Sequence, residues 1–166
     1  MHTYSCALIR KGLLVALLST GILAGIVPEG LSSDARSSGA TVYVPVYSHI
    51  YVGIKGITFD LAISLSIRNT DPHAAITVQS VAYYDSDGKF VKGFIDRPVH
   101  IGPLASKDFF VSEADTTGGF GASFIVKWTS AERVNEPIVE GVMAGTKSGQ
   151  GISFTSRGQV IGDRPQ

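Results

Sequence analysis

Between Ile57 and Asn69 the chain alternates with a period of two. Ile57, Phe59, Leu61, Ile63, Leu65 and Ile67 are apolar, while Thr58, Asp60, Ala62, Ser64, Ser66 and Arg68 are small, polar or charged. Successive side chains of a strand point to opposite faces, so this pattern gives one buried and one wet face. A helix would scatter the same apolar residues around its circumference. Asn69-Thr70-Asp71-Pro72 follows with residues that favour turns, and ends the strand there.

Strand signals recur on both sides of this stretch. Thr41–Ser48 is β-rich, but Pro45 cannot donate to a ladder, which predicts an edge strand or a break. Ile50–Ile54 continues it beyond a bend. Over Ile76–Tyr84 the apolar phase shifts at Gln79-Ser80, which predicts a bulge. Asp85-Ser86-Asp87-Gly88-Lys89 forms a tight turn and Phe90–Ile95 returns beside the preceding strand. Lys107–Ser112, Ala122–Trp128, Pro137–Gly145 and Gly151–Thr155 complete the strands, with Ala131–Glu136 expected as one helical turn. Short strands separated by turn signals, with no sustained 3.6-residue apolar period, predict an all-β fold. The expected form is an antiparallel immunoglobulin-like or fibronectin-like β-sandwich of about seven to nine strands.

The N-terminus reads differently. Arg10-Lys11 precede the apolar run Gly12–Val27, which Pro28 and Glu29 end. This is the layout of a secretory signal. Cleavage after Gly30 or Ala35 and retention as an N-terminal anchor are both compatible with the run, which is slightly short of the roughly 20 residues of a spanning helix. The domain plan is therefore a signal peptide or anchor over 1–30, a flexible Ser/Gly/Ala linker over 31–40, a sandwich domain over 41–162 and a tail over 163–166. Either N-terminal outcome exports the domain to the periplasm or beyond the cell. An uncleaved segment would tether it to the inner membrane through residues 12–27, its only expected membrane contact.

The chain carries 14 basic and 14 acidic residues, and the only cysteine, Cys6, precedes the apolar run. A neutral domain lacks the basic footprint of nucleic-acid binding. An exported part without cysteine has no disulfide or thiolate metal site.

Several segments carry a family resemblance. They are Val44-Pro45-Val46-Tyr47-Ser48, Ile67-Arg68-Asn69-Thr70-Asp71 and Tyr83-Tyr84-Asp85 with Gly88. The run Glu113–Gly119 leading into Ala122–Val126 belongs with them, as do Pro137–Glu140 with Val142-Met143, and Gly151–Thr155. From about Thr41 to Ile161 the chain resembles the bacterial family catalogued as domain of unknown function 3124. The resemblance implies a secreted or envelope β domain and supplies no activity and no catalytic residue.

Chemical motifs are sparse. Asp85-Ser86-Asp87-Gly88 lacks the further ligands of a calcium loop. Ser86-Asp87-Gly88-Lys89 sits in a turn without the partner motifs of acyl-transfer enzymes. Gly145-Thr146-Lys147-Ser148 lacks the Gly-Lys order of a phosphate loop. His49, His73 and His100 show no metal-ligand spacing. No catalytic residue, metal site or cofactor is expected. Glu113, Asp115 and Glu140 are candidate binding carboxylates beside the loop of Gly118, Gly119 and Phe120. In the plainer reading Asp115 caps that loop and the glycines permit its turn. Trp128 belongs to the core with Phe124 and Val126. Tyr43, Tyr47 and Tyr51 recur at intervals of four, and Tyr43, Val44 and Tyr47 are the candidate partner edge.

Three functions are compatible with these residues. The expected one is a non-catalytic envelope module that binds another protein or supports an assembly. The second is a small-ligand, glycan or cation binder using Asp115–Phe120. The third is a hydrolase built on Glu113, Asp115 and Glu140.

Overall fold

The computed structural model describes residues 36–162. The signal or anchor segment, linker residues 31–35 and the tail lie outside the described residues. Within them the protein is all-β and antiparallel, with no helix. The elements are β1 (Arg36–Pro45), β2 (His49–Val52), β3 (Ile57–Asp60), β4 (Ala62–Arg68), β5 (Ile76–Tyr84), β6 (Phe90–Gly93), β7 (Val99–Ile101), β8 (Ser106–Val111), β9 (Ser123–Asn135), β10 (Ile138–Lys147), β11 (Gln150–Arg157) and β12 (Gln159–Val160). These twelve exceed the expected seven to nine, because the Ile57–Asn69 run is divided at Leu61 and the short strands β7 and β12 form in the connection after β6 and in the C-terminal stretch.

One sheet has the order β12-β1-β9-β5-β6, with β7 also on β5; the second is β11-β10-β4-β8; β2 and β3 form a separate hairpin. Both large sheets contribute to one buried apolar cluster. Val42, Val44, Val78, Tyr83, Phe124, Val126 and Trp128 come from the first, and Ile63, Leu65, Ile67, Phe109, Val139 and Met143 from the second. The alternation predicted from Phe59 onward is present, with Phe59, Leu61, Ile63, Leu65 and Ile67 all buried. Ile57 is the exception: it is exposed on the hairpin. The run also breaks at Leu61, whose N–H donates to the Ser48 carbonyl at 2.9 Å where the chain passes from β3, paired with β2, to β4, paired with β10.

Three further expectations are revised. Arg36–Ala40 is strand rather than linker, because it pairs with the end of β9 (Arg36 opposite Asn135, Ala40 opposite Trp128). For the same reason Ala131–Glu136 makes no helical turn: through Asn135 it is strand, and its one aliphatic side chain of size, Val134, is fully buried. β1 is not an edge strand either. It lies between β9 and β12, with Val42 opposite Val160 and Tyr43 opposite Gln159, and Pro45 is its last residue. The predicted irregularity at Gln79-Ser80 is a register shift between Val78 and Ser80 in the β5–β9 ladder.

A buried polar knot fixes one end of the fold. Asn69 Nδ2 donates to the carbonyls of Ala74, Ile101 and Gly102, and its Oδ1 accepts from Asp71 N–H. Asp71 accepts from the N–H groups of His73 and Ala74 at 2.9 and 3.0 Å and of Asn135 at 3.1 Å. Those donors, with the Arg36 charge beyond them, outweigh burial and hold the Asp71 carboxyl down to about 2.

Candidate functional site

Residues 115–121 turn at the opposite end, where β9 begins. Gly119 adopts φ +73°, a conformation open to glycine. Two serines hold the loop from either side. Ser48 donates its N–H and its hydroxyl to the Gly119 carbonyl, both at 3.1 Å. Ser86 donates its N–H and hydroxyl to the Gly118 carbonyl at 3.0 and 3.1 Å, and its oxygen accepts from Gly121 N–H at 2.8 Å. Asp115 accepts from Lys92 Nζ at 2.7 Å and from the Thr117 hydroxyl at 2.5 Å. The lysine first, then the threonine, keep its carboxyl below the usual carboxylate value. Asp115 is thus a loop cap with a lysine partner, the plainer of its two readings.

Gly118 has a packing role. A Cβ there would lie 1.9 Å from the Tyr83 hydroxyl and 2.7 Å from Ala122 Cβ. The bare backbone closes directly over the tyrosine. Tyr83 is fully buried, and among the described residues its hydroxyl has no hydrogen-bond partner. Burial, with the Asp115 charge adding to it, pushes the phenol up to about 12.

Glu140 is set apart from the other two candidate carboxylates. Asp115 pairs with Lys92 of β6, whereas Glu140 lies in β10, 3.7 Å from Arg68 Nε. Glu113 lines a shallow groove with Ala144, Gly145, Thr146, Gly151, Ile152 and Ser153. Ala144 is four residues along β10 from Glu140, a separation on the order of 13 Å at the rise of a strand. Paired carboxylates in sugar hydrolysis stand roughly 5 to 9.5 Å apart. This spacing sets Glu140 apart from the groove that Glu113 lines, while Glu113 and Asp115 are near neighbours, two residues apart in the chain. Among the described residues no group of three or more His, Cys, Asp or Glu side chains is placed to hold a metal.

Phe120 joins an aromatic cluster. Its ring stacks on Tyr51 at 5.8 Å and 24°, meets Tyr47 edge-on at 5.1 Å, and lies 6.4 Å from His49. Tyr47 also touches Phe154 of β11. Of the tyrosine series, Tyr47 and Tyr51 share this cluster, while Tyr43 sits back in β1 beside β12.

The partner edge assigned to Tyr43, Val44 and Tyr47 is corrected as well. Val44 is fully buried, and β1 has a strand on both sides. The open edges are elsewhere. β8 is one, interrupted by Lys107-Asp108, and β12 is two residues long; charge and shortness both discourage strand addition. β11 is different. It runs for eight residues, no strand pairs with its outer side among the described residues, and no charged residue or proline lies between Lys147 and Arg157.

The β10–β11 turn determines which β11 groups face outward. Ser148 and Gly149 have φ of 53° and 79°, a two-residue turn with both φ positive. Lys147 and Gln150 close it as a hydrogen-bonded pair, and such pairs alternate along an antiparallel ladder. Ile152, Phe154 and Ser156 therefore bond to β10, while Gly151, Ser153 and Thr155 direct their N–H and C=O groups outward. Sequence inspection missed this edge. Its signal was the uncharged, proline-free run Ser148–Ser156.

The model of the family described as "Protein of unknown function (DUF3124)" matches residues 39–161. The chain belongs to this family. No curated protein matches it. Among solved structures, the crystal structure of Thermotoga maritima 1070 is similar at a TM-score of 0.42, with 16% identity over 72% of this chain and 92% of that one. The family match spans both large sheets from β1 through β12.

Proposed function

We propose that this family member is an exported, non-catalytic binding module of the cell envelope that takes a partner strand on the outer edge of β11. The observation that carries the reading is the run of outward backbone groups at Gly151, Ser153 and Thr155 on an edge without charge or proline. The two large sheets and their shared core suit an immunoglobulin-like sandwich, a scaffold that leaves such edges open. Export is supported by the apolar run Gly12–Val27 behind Arg10-Lys11. The groove beside the edge, between Glu113 and Gly151–Ser153, offers room for a partner side chain.

The test is a photo-crosslinking residue at Gln150 or, as the comparison edge, at Lys107, in full-length protein in its native cells. Thr155→Pro removes one outward N–H without touching a bond to β10. The expected result is a discrete protein adduct from Gln150 alone, lost in Thr155→Pro. Equal adducts from both edges, or an adduct that survives the proline, would reject the edge as the binding surface.

A further inference from the structure

The β2–β3 hairpin has an ordering of side chains that the strand-binding reading does not use. Its register pairs Val52 with Ile57, Tyr51 with Thr58, Ile50 with Phe59 and His49 with Asp60. The four apical residues are Gly53-Ile54-Lys55-Gly56, and both glycines adopt positive φ. Ile54 at the apex is as exposed as a free side chain (107%). Ile57, one rung down, and Tyr51, one rung further, are each more than half exposed. Tyr51 carries the stacked Phe120, which is also exposed, and hydrogen-bonds its hydroxyl to His49 Nε2 at 3.4 Å. Lys147 reaches the same level, donating to the Thr58 carbonyl at 2.8 Å. Val52, opposite Ile57, already packs partly against the core, full burial comes at the third rung with Phe59, and the first acidic residue is Asp60 on the fourth.

We infer that this hairpin docks on a lipid surface, inserting Ile54 and Ile57 below the headgroups. Tyr51, Phe120 and His49 would rest at headgroup level, with Lys55 and Lys147 beside the phosphates. The order matches the layers of a bilayer interface: aliphatic side chains deepest, amphipathic aromatic rings next, Lys147 at the polar boundary, and apical Lys55 reaching that boundary along its own aliphatic stem. The dimension matches too. Ile54 lies three positions beyond Tyr51, roughly 7–10 Å, which is the depth an interfacial element reaches. Four of the eight exposed large apolar side chains among the described residues lie on this hairpin and its neighbouring loop. A protein partner would be met by anchors seated around a pocket; the apex instead presents a bare aliphatic point between two glycines of positive φ. The hairpin itself carries one lysine, Lys55, and one aspartate, Asp60, so insertion rather than headgroup charge carries the contact and its salt dependence is weak.

The experiment uses the full chain with Cys6→Ser and a polarity-sensitive fluorophore on Ile54→Cys, or on Lys107→Cys as the comparison position. Vesicles of phosphatidylethanolamine and phosphatidylglycerol carry a doxyl quencher near the headgroup. This readout distinguishes tip insertion from any attachment through residues 12–27. The expected result is a blue shift and quenching at position 54 and neither at 107, little changed by 0.5 M salt. Adding Ile57→Glu should weaken the tip contact at least tenfold while leaving circular dichroism unchanged. No blue shift and no quenching at position 54 on vesicles would overturn the inference. So would a blue shift that needs an added envelope protein, which would make the tip a protein-binding surface.

Discussion

Replacing Tyr83 by phenylalanine should stabilise the domain. The residue is fully buried among Phe94 and Phe124, and its hydroxyl has no partner among the described residues. An unsatisfied buried hydroxyl costs about 1–3 kcal/mol relative to one left in water. Removing the oxygen recovers that cost and leaves a gap of a single atom under Gly118, which returns part of it. The net gain expected is about 1 kcal/mol. For a domain of this size that corresponds to a rise of about 4 °C in the melting temperature. Urea unfolding followed by the fluorescence of Trp128, the single and buried tryptophan, measures it directly. The pH dependence adds a second signature. Tyr83 is held neutral in the fold up to about pH 12, against an ordinary value of 10. Its contribution is complete below pH 10, and is lost as the pH rises through 12 while the unfolded chain ionises. Tyr83→Phe should lack that part of the alkaline loss. A variant that is less stable by 1 kcal/mol or more would refute the reasoning, because it would mean that the hydroxyl makes a bond.

Other outcomes follow from the same geometry. Gly118→Ala drives a Cβ into the Tyr83 ring and should cost about 3 kcal/mol. Gly88→Ala meets nothing within 4 Å, and its φ of +76° should cost only about 1 kcal/mol. Comparing the two in urea separates a clash from backbone strain. Asp71, held at about 2 against an ordinary 3.8, contributes stability that is complete above pH 3.8 and is lost as the pH falls through 2. Asp71→Asn should be less stable at neutral pH and show a flatter acid limb in thermal melts between pH 4 and 2.

Much of the fold was legible because it rests on local alternation. From Phe59 to Ile67 every second side chain is apolar, and each one is buried. The core role of Phe124, Val126 and Trp128 and the irregularity at Gln79-Ser80 follow from the same period of two. What could not be read depends on partners distant in the chain. Polar Ala131–Asn135 is strand only because Arg36 and Ser37 supply the ladder beside it. Pro45 suggested an edge or a break: the break is there, since β1 ends at Pro45, but the edge is not, since Gln159-Val160 returns to pair with Val42 and Tyr43. Gly118 reads as a turn residue, and nothing near it in sequence announces the Tyr83 ring beneath. Asp115 could be read as a cap because Thr117 is its near neighbour; Lys92, its stronger partner, is 23 residues away. The β11 edge was hidden for another reason: being unpaired belongs to the sheet order, and no single residue records it.

Amide hydrogen exchange along β11 tests the binding account most directly. Full-length protein in its native envelope membranes is compared with the purified protein. The outward amides of Gly151, Ser153 and Thr155 should exchange quickly in the purified protein and at least tenfold more slowly in the envelope, while Lys107 and Asp108 of β8 exchange alike in both. Equal exchange at Ser153 and Thr155 in the two samples, or protection that appears on β8 instead, would contradict a partner strand on β11.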